Sequence, residues 1–166
     1  MTLNDLIDHY EKGGPLLAYA MSSLSREQET ARPGPGAWSL AELAIHLLDS
    51  DLVAGDRIKR VIAEDAPTLL AYDENAWCAR LDYQSLPVEE AVSMFVANRR
   101  WIAHILRSLP ESDFARSGNH TERGRVTLAD LVRSSVGHLD HHLAFLYAKR
   151  GNLGVSIYPR YRMVPE

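Results

Sequence analysis

Residues 127–149 read TLADLVRSSVGHLDHHLAFLYAK and contain the pattern on which the predicted fold depends. Apolar side chains recur there at spacings of three and four residues, which is typical of one face of a helix. Thr127 is placed to cap the first turn, and Asp130 lies in that turn, where a carboxylate is favoured. The helix is predicted to run to about Lys149, with Gly151 as its stop.

Two histidines, His138 and His142, lie four residues apart in this segment. Residues at i and i+4 share one side of a helix, so both rings can point at one spot. Their stripe also contains Leu131 and Phe145, which places the rings on the face that is expected to be buried. An unpaired buried polar group costs about 1–3 kcal/mol. A metal ion would satisfy both rings at once, and hydrogen bonds to backbone or water are the alternative.

A third histidine, His46, lies in a second segment with helical spacing, predicted over residues 39–64. Ser39 is a natural N-cap, and Glu42 occupies the position that completes a capping box. Glu42 and Asp49, one turn either side of His46, could accept a hydrogen bond from its second ring nitrogen or simply face solvent. Helices of a bundle can bring such inward side chains together. Three imidazoles with one open position are typical of a catalytic zinc-type site.

The other segments complete an all-α pattern. A first helix is predicted over residues 2–22, interrupted or kinked at Gly13-Gly14-Pro15, and a third long helix follows Pro87 and ends near Leu109. A short helix is expected over residues 74–79. An irregular stretch that includes a short extended piece is expected before Thr127. No segment shows the alternating pattern that would predict a longer strand.

Short motifs in their order along the chain resemble the DinB/YfiT-like superfamily. They are Trp38-Ser39 before His46-Leu47, Ala66-Pro67-Thr68, Tyr72-Asp73-Glu74-Asn75-Ala76-Trp77, His120-Thr121-Glu122, Val126-Thr127-Leu128 and the last histidine cluster. The resemblance covers about residues 16–146. It is closest to the YfiT branch, which is described as metal-dependent hydrolases and includes bacillithiol S-transferases. It implies a single DinB-like four-helix bundle over residues 1–166, with short extra helices in the loops.

The resemblance also implies a cofactor and an activity. His46, His138 and His142 are the expected ligands of one divalent metal ion, with zinc or nickel expected before iron or manganese. The implied reaction adds a low-molecular-weight thiol to a small electrophile through a metal-activated thiolate. A hydrolase that uses metal-activated hydroxide and a bundle that binds a metal or small ligand without catalysis are the alternatives. A homodimer is expected on the same ground.

Two further residues are candidates for the chemistry. Arg57 lies three turns after His46 on nearly the same stripe, so it is predicted to hold a carboxylate of the thiol or a developing negative charge. An ion pair with a carboxylate at the end of the bundle is the alternative. Tyr72 lies in a connection and is predicted to donate a hydrogen bond into the cavity. Its segment could instead matter only because Asp73 caps the short helix that follows.

The remaining candidates are expected to serve packing or to lie at the edge of the site. Trp38, Trp77 and Trp101 are predicted to be packing anchors, and Cys78 a small buried hydrophobe. His141 is predicted to lie at the boundary of the site rather than to bind the metal.

Composition limits the classes of function. The chain has 166 residues, 46% hydrophobic and 24% charged, which is ordinary for one globular domain. Its net charge of −4 gives no electrostatic reason to bind nucleic acid or an anionic membrane. No secretory signal or apolar run of the roughly 20 residues needed to span a bilayer is predicted. A single cysteine suits a reducing compartment. We therefore expect a cytoplasmic protein with small-molecule partners.

Overall fold

A computed structural model describes residues 2–161 of the chain. The helices, in chain order, are α1 (Leu3–Ala20), α2 (Arg26–Thr30), α3 (Leu40–Ala63), α4 (Glu74–Arg80), α5 (Val88–Arg107) and α6 (Leu128–Asn152). Short 3-10 helices lie at Tyr83–Ser85 and Glu111–Ala115, and the strands are β1 (Thr68–Leu69), β2 (Ser117–His120) and β3 (Gly124–Thr127). The all-α prediction, with short extra helices in the loops, is confirmed, and the small sheet is a minor addition.

Capping side chains fix where three of the long helices begin. The residues Thr2, Ser39 and Thr127 each accept a hydrogen bond from a backbone N–H of the first turn and complete a capping box. These contacts satisfy N–H groups that have no partner within the helix. The starts predicted for α3 and α6 from Ser39 and Thr127 are therefore confirmed. Asp73 caps α4 in the same way, because its carboxylate accepts from the N–H of Ala76 at 2.9 Å.

The four long helices pack in a ring in which α1 contacts α5, α5 contacts α3, α3 contacts α6 and α6 contacts α1. The helices α1 and α3 therefore lie diagonally across the bundle, as do α5 and α6. This order places α3 directly beside α6. The helix that carries His46 thus lies next to the helix that carries His138 and His142.

The core consists of two hydrophobic clusters, and a polar layer lies between them. At the centre of this layer, Arg99 of α5 donates to the Asp51 carboxylate of α3 at 2.9 Å, and both side chains are buried. Arg99 also donates to the carbonyl oxygens of Tyr10 at 3.2 Å and Ser135 at 2.8 Å. The layer thereby joins all four long helices. Gly13 makes room for it, since a Cβ there would lie 2.2 Å from Arg99 Nη1.

The small sheet joins the connection after α3 to the hairpin before α6. Strand β1 pairs in parallel with β2, with Thr68 opposite Asn119, and β2 pairs antiparallel with β3. Beyond β1, the backbone N–H of Ala71 donates to Thr121 Oγ1 at 2.9 Å. These bonds hold the segment that leads to Tyr72 against the hairpin. The predicted irregular stretch with an extended piece is thus a 3-10 helix followed by this hairpin.

The predicted helices differ from the structure in three details. Helix α1 continues through Gly13-Gly14-Pro15, so of the two alternatives, an interruption or a kink, the interruption is wrong. The sequence pattern did not reveal α2. Helix α6 does not stop at Gly151. Its last turn closes at Gly154, which has a φ of +71° and donates to the Gly151 carbonyl at 3.0 Å. The left-handed conformation that ends a helix is thus adopted three residues later than expected.

The packing predictions for the tryptophans are confirmed in part. Trp38 lies with its ring centroid 5.0 Å from that of His46, and Trp77 lies 4.6 Å from Tyr72. Trp101 is 61% exposed, so its predicted role as an anchor is wrong; its neighbour Ile102 fills the inward position. Within residues 2–161, no helix is both long and apolar enough to cross a membrane.

Candidate metal centre

The structure brings His46, His138 and His142 together at the contact between α3 and α6. His46 Nε2 lies 3.2 Å from His138 Nε2, and His142 Nε2 lies 3.0 Å from the same atom. Two nitrogens bound to one tetrahedral zinc ion at 2.0–2.1 Å would lie about 3.3 Å apart. The three rings, named here the histidine triad, therefore converge: two of their N···N distances are close to the spacing of a shared ion, and all three ligand atoms lie within 4.8 Å of one another.

Hydrogen bonds among the three rings cannot satisfy this arrangement. An imidazole nitrogen carries either one hydrogen or one lone pair in the ring plane. His138 Nε2 can therefore make a good hydrogen bond to His46 or to His142, but not to both. In addition, His142 Nδ1 is buried and has no hydrogen-bond partner among the described residues. A cation that accepts one lone pair from each ring fits this donor set, and a purely hydrogen-bonded cluster does not.

Burial keeps all three rings neutral. It is the main cause that lowers the pKa of each ring to about 4 from the ordinary value of 6.5. Within the triad, a charge on one ring also opposes a charge on its neighbour. Neutral imidazole is the form that binds a metal ion, because protonation occupies the lone pair. The triad is thus in its ligating form at neutral pH.

The triad is open on the α6 side. His46 is only 1% exposed, whereas His138 and His142 are partly exposed. The prediction that the stripe through Phe145 is the buried face of α6 is wrong, since Phe145 is 48% exposed. The buried face is centred one position away, at residues such as Leu139 and Leu143. This rotation places the two α6 histidines at the edge of the core, where a small molecule can reach them.

The neighbours of His46 differ from those suggested by the sequence. Ser50 Oγ lies 3.5 Å from both ring nitrogens, and a carboxylate oxygen of Glu74 lies 3.7 Å from Nε2. Asp49 instead accepts a hydrogen bond from Tyr83. Glu42 accepts from Ser39 N, at 2.8 Å, and from Arg32. These two carboxylates stabilise the surrounding structure rather than orient the ring.

A cavity of about 430 Å³ reaches the triad at His138, and both predicted catalytic residues, Arg57 and Tyr72, line it. Its wall includes the side chains of Ser50, Arg57, Tyr72, Glu74, Arg123 and His138. The hydroxyl groups of Tyr72 and Ser50 are hydrogen-bonded to each other. Burial raises the pKa of Tyr72, so its phenol keeps its proton and can donate. The alternative for Arg57, an ion pair with a carboxylate, is not formed among the described residues; its guanidinium donates to the Leu70 carbonyl.

The comparisons with known proteins agree with this geometry. A model of the DinB superfamily matches residues 9–146. The chain belongs to the DinB superfamily.

Relatives within the DinB superfamily match most of the chain. A protein of Oceanobacillus iheyensis, provisionally named a metal-dependent hydrolase, is 32% identical over 145 residues, which are 87% of this chain and 83% of the relative. A protein of Bacillus mycoides with the same provisional name is 30% identical over 138 residues, covering 82% and 79% of the two chains.

Solved structures of the superfamily share the fold. YfiT from Bacillus subtilis is described as a probable metal-dependent hydrolase with an unusual four-helix bundle topology. It superposes with a TM-score of 0.86 at 23% identity, covering 94% of this chain and 91% of YfiT. A second DinB-like protein of Bacillus subtilis superposes with a TM-score of 0.67 at 18% identity. The four-helix bundle predicted from the resemblance is confirmed.

The sequence did not predict a role at this site for three residues that line the cavity. Arg123 lies in the hairpin turn before α6, where no periodic pattern indicates the direction of a side chain. Glu74 begins α4 and was assigned only to that helix. Ser50 lies one turn after His46 on the same stripe, so the helical spacing could have revealed it. His141 is exposed and lines the cavity, which agrees with its predicted place at the boundary.

Proposed function

We propose that this protein is a divalent-metal-dependent enzyme that transfers a low-molecular-weight thiol to a small electrophile. The observation that carries the proposal is a convergent, neutral histidine triad, one ring of which, His138, lines a cavity whose wall includes Arg57 and Arg123. A site that used the ion only to hold the core together would not need such a cavity. Zinc or nickel is the expected ion, the cytoplasm the expected compartment, and a homodimer stays a prediction.

His46, His138 and His142 would hold the ion, with each ring contributing one neutral nitrogen. When bound, a divalent ion supplies Lewis acidity, which lowers the pKa of a coordinated thiol or water and provides a nucleophile at neutral pH. In the transfer, the S–H proton is released and the new carbon–sulfur bond forms. The leaving group of the electrophile departs with the electrons of the bond that breaks.

Two residues of the cavity wall have roles in this reaction. Arg57 binds the negative charge of the substrate, because a guanidinium pairs with a carboxylate through charge-assisted hydrogen bonds. The Tyr72 hydroxyl, held by Ser50, donates a hydrogen bond to the negative charge that develops on the electrophile. Both groups are positioned before the substrate binds, Arg57 by the Leu70 carbonyl and Tyr72 by Ser50.

Hydrolysis of an amide or ester is the second candidate. It is favoured by the provisional names of the relatives, which describe metal-dependent hydrolases. The same triad would serve, with water in place of the thiol. The two reactions differ in the nucleophile consumed, so a direct assay separates them.

The first experiment measures metal content and activity together. Protein purified without an affinity tag is analysed for bound metals, loaded with zinc or nickel, and incubated with mercaptopropionate and a chloro-dinitrobenzene. We expect about one ion per chain, together with consumption of the thiol and release of chloride. A metal-loaded protein that consumes no thiol but hydrolyses esters or amides would establish the second candidate. A loaded protein that does neither would leave the bundle as a metal-binding protein without catalysis.

Variants assign the roles. We expect His142→Ala to reduce metal affinity by more than the roughly 10–100-fold typical of losing an outer-shell partner, and to abolish transfer. Arg57→Ala should raise KM with little change in kcat, because it removes binding that is equal in ground and transition states. The matched control is His104→Ala, since His104 is exposed on α5 away from the triad. Full metal binding and full activity in His142→Ala would rule out the ligand set.

A further inference from the structure

A second cavity, of about 700 Å³, adjoins the cavity beside the histidine triad. It lies between α3 and the segment of residues 68–77, and the two cavities have Arg57 and Tyr72 as common wall residues. We call it the apolar cavity because much of its wall is formed by the side chains of Leu52, Val53, Leu69, Leu70 and Trp77. Leu52 is 40% exposed and Leu70 70% exposed. Apolar side chains that gather in one concave surface and stay open to solvent are typical of a ligand site.

Both carboxylates that line the apolar cavity already have partners within the protein. Asp49 accepts a hydrogen bond from the Tyr83 hydroxyl, and Asp56 accepts one from Arg60 at 2.8 Å. Arg57, the remaining charged group, lies at the boundary with the first cavity. The wall therefore offers a ligand chiefly apolar contact, and a charged group buried against it would lose its hydration without gaining a partner. This chemistry selects a neutral, apolar molecule.

Tyr72 links the apolar cavity to the histidine triad. Its hydroxyl is hydrogen-bonded to Ser50 Oγ, which lies 3.5 Å from both ring nitrogens of His46. The centroid of its ring lies 4.6 Å from that of Trp77, and both residues line the apolar cavity. A molecule bound there can thus accept a hydrogen bond from the Tyr72 hydroxyl while its apolar part contacts the wall.

We propose that the apolar cavity binds the electrophilic substrate, which is therefore a neutral molecule with an alkyl or aryl group. This inference rests on the proposed function and gives the two substrates separate sites. The nucleophile binds on the side of the triad, and the electrophile binds along Leu52 and Leu70 with its reacting carbon next to the Tyr72 hydroxyl. The thiol sulfur bonds to that carbon and its proton is released, while the leaving group takes the electrons of the bond that breaks. A volume of about 700 Å³ suits such a small molecule.

The test uses para-alkylacetophenones, neutral molecules with a ketone oxygen at one end and an alkyl chain at the other. Their binding to the zinc-loaded protein and to the metal-free protein is measured by NMR titration. We expect the affinity to rise about three- to fourfold for each methylene from the para-methyl to the para-butyl compound, because each methylene is removed from water. In para-acetylbenzoate a carboxylate replaces the chain, so it should bind at least about tenfold more weakly than the para-propyl compound.

Four variants assign the effect to the apolar wall. Leu52→Gln and Leu70→Gln should each weaken binding of para-butylacetophenone by about fivefold or more, and that of the para-methyl compound by less. The matched controls are Leu86→Gln and Leu81→Gln, whose side chains are 36% and 52% exposed and line neither cavity. All four side chains are exposed, so an unchanged melting temperature and zinc content should show that each variant is folded.

Inhibition of the transfer identifies which substrate occupies the apolar cavity. Para-butylacetophenone should raise KM for the chloro-dinitrobenzene and leave kcat unchanged, because the two molecules compete for one site. It should not raise KM for mercaptopropionate. Competition with the thiol instead would place the nucleophile in the apolar cavity and overturn the proposal.

The binding results separate this proposal from the proposed function. Affinities that do not change with chain length, or a dependence that survives both leucine variants, would overturn the electrophile site while leaving thiol transfer intact. Stronger binding of para-acetylbenzoate would overturn the neutral class of substrate. A change from dimer to monomer in Leu52→Gln or Leu70→Gln, with ketone binding unchanged, would assign this surface to a second copy of the chain. If the ketones bind as expected but no thiol is transferred, the apolar site stands and the proposed function fails.

Discussion

Two buried arginines, Arg99 and Arg150, show how the same residue type serves two regions of the bundle differently. Arg99 is 1% exposed, pairs with the Asp51 carboxylate and joins α1, α3, α5 and α6 at mid-height. Arg150 is 2% exposed and lies near the end of α6. It donates to three carbonyl oxygens, those of Ala20, Ser22 and Val155, at 2.9–3.0 Å.

The difference is what each arginine holds in place. Arg99 binds Asp51 of α3 and Ser135 of α6, and these residues lie five and three positions from His46 and His138 respectively. Arg99 thus fixes the two helices that must converge for the triad to form. Arg150 ties the end of α6 to the end of α1 and to the segment that follows α6. The buried Arg99–Asp51 ion pair thus supports the site. Arg150, which binds only carbonyl groups, stabilises the end of the bundle.

The largest effect is expected from removing Arg99. Arg99→Met leaves the Asp51 carboxylate buried without its cation, which should lower the free energy of unfolding by about 3–5 kcal/mol. Metal affinity should fall as well, because α3 and α6 lose a shared anchor. Arg150→Met should cost less, about 1–3 kcal/mol, and leave metal affinity unchanged. Urea unfolding and metal titration of both variants measure the two quantities. Equal losses of metal affinity would show that the two arginines do not differ as described.

Metal binding should stabilise the region around Arg99. An ion that binds only the folded protein adds about 2.7 kcal/mol at a free concentration of 100 times its Kd. Chelation should therefore lower the melting temperature, and amide exchange should increase around the triad in α3 and α6 but not around Arg150. If protection changes equally around the triad and around Arg150, the ion stabilises the bundle as a whole.

Glycine substitutions next to each arginine should have opposite signs. A Cβ at Gly13 would lie 2.2 Å from Arg99 Nη1, so Gly13→Ala should destabilise the fold by about 1–3 kcal/mol through overpacking. At Gly151, beside Arg150, a Cβ would lie 3.7 Å from Ser156 Oγ, an ordinary contact. Gly151→Ala should therefore stabilise by about 0.5–1 kcal/mol, since alanine is the better helix former. Melting temperatures of the two variants are the measurement, and a stabilising Gly13→Ala would contradict the packing around Arg99.

The metal-free protein should also respond to pH, gradually and only in acid. The triad rings have a folded pKa of about 4, against the ordinary 6.5, because of burial. The unfolded chain therefore binds more protons between these values, and the free energy of unfolding falls as the pH drops from 6.5 toward 4. Above pH 6.5, these rings cause no change. His142→Ala should reduce the slope in this window by at most about 1.4 kcal/mol per pH unit, and Arg150→Met should keep it.

The sequence alone predicted the parts of the site that depend on local periodicity. Ser39 and Thr127 fixed the starts of α3 and α6, and the four-residue spacing of His138 and His142 placed both rings on one side of α6. The inward stripe of α3 indicated His46. These predictions depend on helical geometry, which repeats every 3.6 residues and is the same in every bundle.

Only the tertiary structure decided which helices are neighbours and what lies between them. The diagonal order that places α3 beside α6 depends on how four faces pack across the core. The rotation that exposes Phe145 depends on it as well, and brings His138 and His142 to the edge of the core. Arg123 reaches the cavity from the hairpin turn, and Arg99 binds Asp51, which lies 48 residues earlier in the chain. Such contacts depend on packing between distant segments, for which spacing along one helix contains no information.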